Sequence, residues 1–158
     1  AGLYDIVTRR IPNWLTLCIL LTAIVFRALE GFAALGSGLA AAMCGLALAL
    51  ALFKLGALGG GDGKLLIGVS AFLGLERLQG GLLTIGVLGG LLGVLEAARR
   101  GVILPAIYNA GNMLRRWFTL GKTGERRTLD SPGAIAVPYG VAISAGAILW
   151  WLWGGSVP

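Results

Sequence analysis

Two aspartates stand beside unusual backbone signals in an otherwise apolar chain. Asp5 lies near the start of the sequence, and Asp62 closes a run of three glycines that begins at Gly59. Two carboxyl groups held close together cannot both ionise easily, so one keeps its proton while the other can accept one. Such a pair is suited to the activation of a water molecule. We therefore predict that Asp5 and Asp62 form a catalytic pair.

The glycines before Asp62 have a possible use of their own. A residue without Cβ can adopt positive φ and lets another chain approach its backbone closely. Gly59 and Gly61 are therefore predicted to let an extended peptide substrate lie against Asp62. The alternative is structural, because Gly-rich turns connect membrane helices routinely and an aspartate at a helix start is an ordinary N-cap.

The sequence contains no histidine. This excludes Ser-His and Cys-His nucleophiles and most catalytic zinc sites. Cys18 and Cys44 are isolated in apolar runs without CxxC spacing, and we interpret both as small core residues. We predict neither a metal site nor a cofactor, and proton chemistry falls to carboxylates.

The composition indicates a helical membrane protein. Of 158 residues, 57% are hydrophobic and 13% charged, and the mean hydropathy is +0.86. The few charges fall in clusters between long apolar runs, which is typical of an all-α polytopic protein of one domain, residues 1–158. The formal net charge is +6. Membrane orientation explains it better than nucleic-acid binding does, because the basic residues alternate with apolar runs.

The apolar runs predict five complete transmembrane helices, at Trp14–Leu29, Phe32–Phe53, Leu65–Leu78, Gly80–Leu95 and Ala134–Trp153. The third is short, but if it crosses, 11 of the 13 basic residues share one side and only Arg27 and Arg77 lie opposite. The basic side faces the cytoplasm by the positive-inside rule, and both aspartates lie on it.

Polar and aromatic residues outside the spans predict two further features. Residues 99–132 form a cytoplasmic loop with an amphipathic helix that lies along the membrane interface. A plain connector is the alternative. Trp150, Trp151 and Trp153 form an aromatic belt that anchors the opposite side.

Several motifs together resemble the type IV prepilin peptidases. They are Asp5, Ile11-Pro12-Asn13, Gly59-Gly60-Gly61-Asp62-Gly63-Lys64-Leu65 and Pro138-Tyr139-Gly140. The likeness is to the short, peptidase-only branch of the family, which serves tight-adherence (Flp-type) pili, and it covers nearly the whole chain in order.

This resemblance implies an intramembrane aspartic endopeptidase of the bacterial inner membrane, with Asp5 and Asp62 as the catalytic pair. Its partners would be membrane lipids and a prepilin, whose basic leader, followed by a hydrophobic helix, is removed at the cytoplasmic face. Larger family members carry an additional domain with paired CxxC motifs and methylate the new amino terminus. Neither cysteine here is paired, so we predict no methyltransferase activity.

Other functions remain open from the sequence. An archaeal preflagellin-type peptidase would use the same chemistry. A small ion or proton transporter subunit would use boundary aspartates to bind cations or relay protons. A non-catalytic membrane scaffold would tolerate the replacement of both aspartates.

Two further predictions concern the boundary. Lys64 could hold an acidic group of the substrate, or it could serve orientation alone. The apolar residues before Asp5 are interpreted as the stub of an additional amino-terminal span, with a flexible tail as the alternative.

Overall fold

The computed structural model describes residues 12–102 and 139–154, together with the single positions 108 and 111. Four helices account for the two described stretches, and no strand occurs in them. The prediction of an all-α membrane protein is confirmed for this part of the chain. The helices are α1 Asn13–Glu30, α2 Phe32–Lys54, α3 Gly60–Arg99 and α4 Tyr139–Gly154.

The first two helices form a hairpin with almost no connection. Pro12 is the N-cap of α1, where its fixed φ and missing N–H are tolerated. Gly31 alone separates α1 from α2, with φ 118° and ψ 169°. The predicted first and second spans agree with α1 and α2 to within one residue at each end.

The helix α3 is interrupted at Gly74, whose φ of 69° and ψ of 172° are not helical. The Leu73 side chain lies against Gly81. Eight residues of unbroken helix rise about 12 Å, so this contact requires a sharp bend. We call residues 60–73 the first limb of α3 and residues 75–99 the second limb.

Small residues bring the helices together, as is usual in membranes. A Cβ on Gly68 would lie 3.0 Å from Ile19 of α1, and one on Gly45 of α2 would lie 2.8 Å from the Ser70 Cβ. The first limb therefore packs against both α1 and α2.

The second limb carries α4. A Cβ on Gly89 would lie 3.5 Å from the Tyr139 ring, and one on Gly146 would lie 2.8 Å from Ile85. The second limb and α4 therefore run antiparallel, and the start of α4 lies near the end of α3. The helix bundle therefore has two ends. The Asp62 end contains Asn13, Lys54, Asp62, Arg99 and Tyr139. The Gly74 end contains Arg27, Glu30, Gly74, Glu76 and Trp150.

Five complete spans are not supported. Among the described residues, α1, α2 and α3 are long and apolar enough to cross a membrane, whereas the apolar part of α4, Tyr139–Trp153, is shorter. The predicted third and fourth spans belong to one helical element, because Glu76 and Arg77 continue the helix and the break comes earlier, at Gly74. Residues 134–138, the amino-terminal stub and the predicted interfacial helix beyond Val102, apart from the single helical positions Tyr108 and Gly111, lie outside the described residues.

Two smaller predictions are corrected as well. Cys18 and Cys44 are exposed on the outer faces of their helices and are not core residues. Trp150 packs against Gly80 and is partly buried, while Trp151 and Trp153 are exposed. Only the latter two are therefore placed as anchoring residues would be.

Candidate active site

Asp62 lies in the first turn of α3, three residues after the N-cap Gly59. The first N–H groups of a helix have no partner within it and carry partial positive charge, which stabilises a nearby carboxylate. The Asp62 side chain folds back towards the cap, because its Oδ2 would lie 3.2 Å from a Cβ on Gly59. Asp62 as a whole is partly exposed. Its carboxyl group is therefore held at a helix start in a residue that is not fully buried.

The glycines beside Asp62 have backbone conformations that are not special to glycine. Gly59 is extended, with φ −74° and ψ 155°, and Gly61 lies within the first turn of the helix. Neither has positive φ, because the helix already begins at Gly60. Gly59 still matters sterically, since a side chain there would crowd the carboxylate. Positive φ occurs instead at Gly56, in the connection between α2 and α3.

Lys64 links the start of α3 to the start of α1. Its Nζ donates a hydrogen bond to the Asn13 side-chain oxygen at 2.8 Å. Both residues are exposed. Asn13 belongs to the Ile-Pro-Asn motif, so two of the recognised sequence motifs meet at this contact.

Tyr139 is a site neighbour that the predicted site residues did not include. Its ring packs against Gly89 and contacts the core cluster that contains Leu65 and Leu66. It also lies within electrostatic range of Asp62. The Pro-Tyr-Gly motif marks Tyr139 in the sequence. The spacing of apolar residues does not show that the two ends of α3 and the start of α4 lie close together.

Positive charge is concentrated around this site. Of the described basic residues, Lys54, Lys64, Arg99 and Arg100 belong to the Asp62 end, and Arg27 and Arg77 belong to the Gly74 end. Glu96 is paired with Arg100 at 2.6 Å, on the surface of the second limb. Asp5, the predicted partner of Asp62, lies outside the described residues.

Comparison with known proteins identifies the family. The sequence model of the type IV leader peptidase family matches residues 1–94, more than half of the chain. The chain belongs to this family. The matched region contains Asp5, α1, α2, the Gly59–Lys64 motif and most of α3, and it ends before α4. No curated protein and no solved structure matched the chain.

Membership of the leader peptidase family makes this chain a membrane peptidase, a class of hydrolase. It also gives the arrangement around Asp62 a chemical context. Carboxylates are among the side chains that can act as general acids or bases.

Proposed function

We propose that this leader peptidase removes the basic leader of a type IV prepilin, of the Flp type, at the cytoplasmic face of the bacterial inner membrane. Asp62 and Asp5 act as the water-activating pair. The substrate enters as a basic leader followed by a hydrophobic helix, which lies in the lipid beside the enzyme. Metal and cofactor take no part in this scheme.

The position of Asp62 is the observation that carries the proposal. It is an acidic residue in the first turn of a broken membrane helix, within the region that matches the family, at the end of the bundle richer in positive charge. Cytoplasmic ends of membrane proteins are enriched in Lys and Arg. This supports a cytoplasmic position for Asp62.

In the proposed mechanism, the ionised aspartate takes a proton from water while the protonated one donates a hydrogen bond to the scissile carbonyl. The hydroxide so formed attacks the carbonyl carbon, and the proton passes to the departing amine. The two carboxyl groups titrate as one coupled unit. Because each general acid or base step contributes about 10²- to 10⁴-fold, loss of either carboxylate should nearly abolish turnover.

The test is cleavage of an Flp-type prepilin by the purified protein in liposomes. Asp62→Asn and Asp5→Asn should each leave the prepilin at full length while inserting normally. Glu96→Gln is the matched control, since it removes a carboxylate from the same end of the bundle, and it should cleave normally. Appreciable cleavage by either aspartate variant would contradict the pair assignment.

We further propose that the enzyme is a peptidase without methyltransferase activity. The spacing of Cys18 and Cys44 supports this, since they form no CxxC motif, whereas the bifunctional family members carry paired CxxC motifs. Incubation of the liposomes with prepilin and S-adenosylmethionine labelled in its methyl group should give mature pilin without label. Labelled mature pilin would contradict this part of the proposal.

A further inference from the structure

Arg27 makes a concentrated set of polar contacts at the Gly74 end, far from Asp62. Its Nε donates to the Phe72 carbonyl at 3.2 Å, and one Nη donates to the Leu73 carbonyl. The same guanidinium lies 3.2 Å from Glu30 and 3.7 Å from Glu76. Its side chain is only 12% exposed. An arginine with this burial on an apolar helix requires a structural or functional reason.

The break at Gly74 explains the carbonyl contacts. Because the helix is broken, the last carbonyls of the first limb do not accept hydrogen bonds from the N–H groups four residues later. An unpaired carbonyl is costly in an apolar environment. Arg27 supplies the missing donors. On the other side of the break, the Leu75 N–H donates to Ser37 Oγ at 2.9 Å. Gly74 has no room for a side chain, because the Arg27 guanidinium occupies the space that its Cβ would take.

The carbonyl contacts should matter more than the two ion pairs. The Glu30 and Glu76 side chains are 44% and 62% exposed, and ion pairs with exposed carboxylates contribute little. Hydrogen bonds from a charged donor to buried carbonyls are among the stronger contacts. Arg27 is therefore chiefly an anchor for the end of the first limb.

The first limb is too short to set its own depth in the bilayer. Its 14 helical residues rise about 21 Å, against a hydrocarbon core of about 30 Å. It is held against α1 by Gly68, which packs on Ile19, and by Arg27 at the Gly74 end. The position of Arg27 on α1 therefore fixes where the first limb, and Asp62 with it, lies relative to the membrane surface.

We propose that Arg27 is a positioning residue for the peptidase, which holds Asp62 at its working depth by anchoring the opposite end of the first limb. This inference rests on the proposed function for its consequence in catalysis, but not for the anchoring itself. Without the anchor, the Asp62 end should move outwards, because charged groups at the membrane boundary such as Asp62 and Lys64 are better solvated in water than near the hydrocarbon core.

Thiol labelling measures the anchoring without any assay of cleavage. In a Cys18→Ala/Cys44→Ala background, the reporter is Gly60→Cys, because a Cβ at this exposed position has no neighbour within 4 Å. Lys54→Cys on α2 is the reference at the same end. The experiment is done in lipid nanodiscs. There, Arg27→Gln should raise the rate at which the reporter cysteine reacts with a water-soluble maleimide by about tenfold, relative to the reference cysteine. This is the factor expected for the loss of one hydrogen bond from a charged donor.

Cleavage kinetics test the consequence. A displacement of about 1 Å at a catalytic group can cost about 100-fold in rate, so Arg27→Gln should lower kcat by about 10- to 100-fold and leave KM nearly unchanged. Arg77→Gln removes a positive charge from the same end of the bundle and is the matched control, with normal labelling and kcat. Gly74→Ala should also raise labelling and lower kcat, because alanine is strained at a φ of 69° and its methyl group would displace the guanidinium.

Equal labelling and kcat in Arg27→Gln and Arg77→Gln would overturn the proposal. If Arg27→Gln does not fold, Arg27→Lys decides the matter: it keeps the charge but not the forked donors, so a smaller shift in labelling supports the proposal and wild-type labelling overturns it. A wild-type protein that cleaves no prepilin would refute the proposed function, while the labelling comparison would still test the anchor.

Discussion

At the scale of single residues, the contact between Lys64 and Asn13 gives Lys64 two competing roles. Under the proposed function, its ammonium group holds an acidic group near the amino terminus of the mature pilin. The same group donates to Asn13 at 2.8 Å, which ties α1 to α3. A hydrogen bond between exposed side chains is worth little, so substrate could displace it readily.

These roles separate in a pair of variants. If Lys64 binds substrate, Lys64→Gln should raise KM about tenfold, the equivalent of about 1.4 kcal/mol, with kcat unchanged, and Asn13→Ala should not raise KM. Steady-state cleavage of prepilins with and without an acidic residue after the scissile bond provides the measurement. Equal losses of thermal stability in both variants, with unchanged KM, would assign Lys64 to helix anchoring or orientation.

The sequence indicates that Asp62 lies at a helix start but says little of what surrounds it. An aspartate after three glycines and before an apolar run marks a helix start, and the structure places it there. A glycine run does not show where a helix begins, so the extended backbone of Gly59 and the helical one of Gly61 could not be read from the sequence. Tyr139 is more than 70 residues away along the chain, so its nearness to Asp62 depends on packing that no local pattern reveals.

At the scale of helices, packing depends on where glycine faces a neighbour. Gly45 of α2 lies directly over Ser70 of the first limb, where an added Cβ would come within 2.5 Å of Ser70 Oγ. Gly36 lies on the same helix with no neighbour within 4 Å of an added Cβ. The two glycines are therefore a natural pair for separating packing from helix propensity.

Gly45→Ala should destabilise the protein by about 1 to 3 kcal/mol, because α2 and the first limb must separate to make room. Gly36→Ala is the control and should be neutral or stabilising by up to about 1 kcal/mol, since alanine is the better helix former. Thermal unfolding in detergent measures both. A stable Gly45→Ala variant would show that this helix contact is not tightly packed.

The break in α3 shows the limit of sequence patterns at this scale. Glu76 and Arg77 are the polar residues in the region, and polarity suggested that the third span ended with them. The helix breaks two residues earlier because Gly74 adopts a backbone conformation open almost only to glycine, and Arg27 and Ser37 satisfy the groups it frees. Nothing local distinguishes Gly74 from other glycines, since its partners come from α1 and α2.

At the scale of the whole molecule, charge and topology are consistent with each other. The bend at Gly74 returns the second limb to the end where the first limb began, so Lys54, Lys64, Arg99 and Arg100 lie at the same end. The number of basic residues on each side of the membrane predicts this arrangement. The positive-inside rule concerns which loops lie on the same side of the membrane, and it does not depend on where each helix ends. The number of complete spans was less predictable, because apolar length alone does not separate a broken helix from two helices.

The single-residue connection at Gly31 also bears on how the chain enters the membrane. No polar loop separates α1 from α2, and the φ of 118° and ψ of 169° at Gly31 turn the chain at once. A connection of one residue is too short to stay in water outside the bilayer while the second helix is still being synthesised. We therefore expect α1 and α2 to leave the translocon together, as a preformed helical hairpin, against which the first limb of α3 later packs.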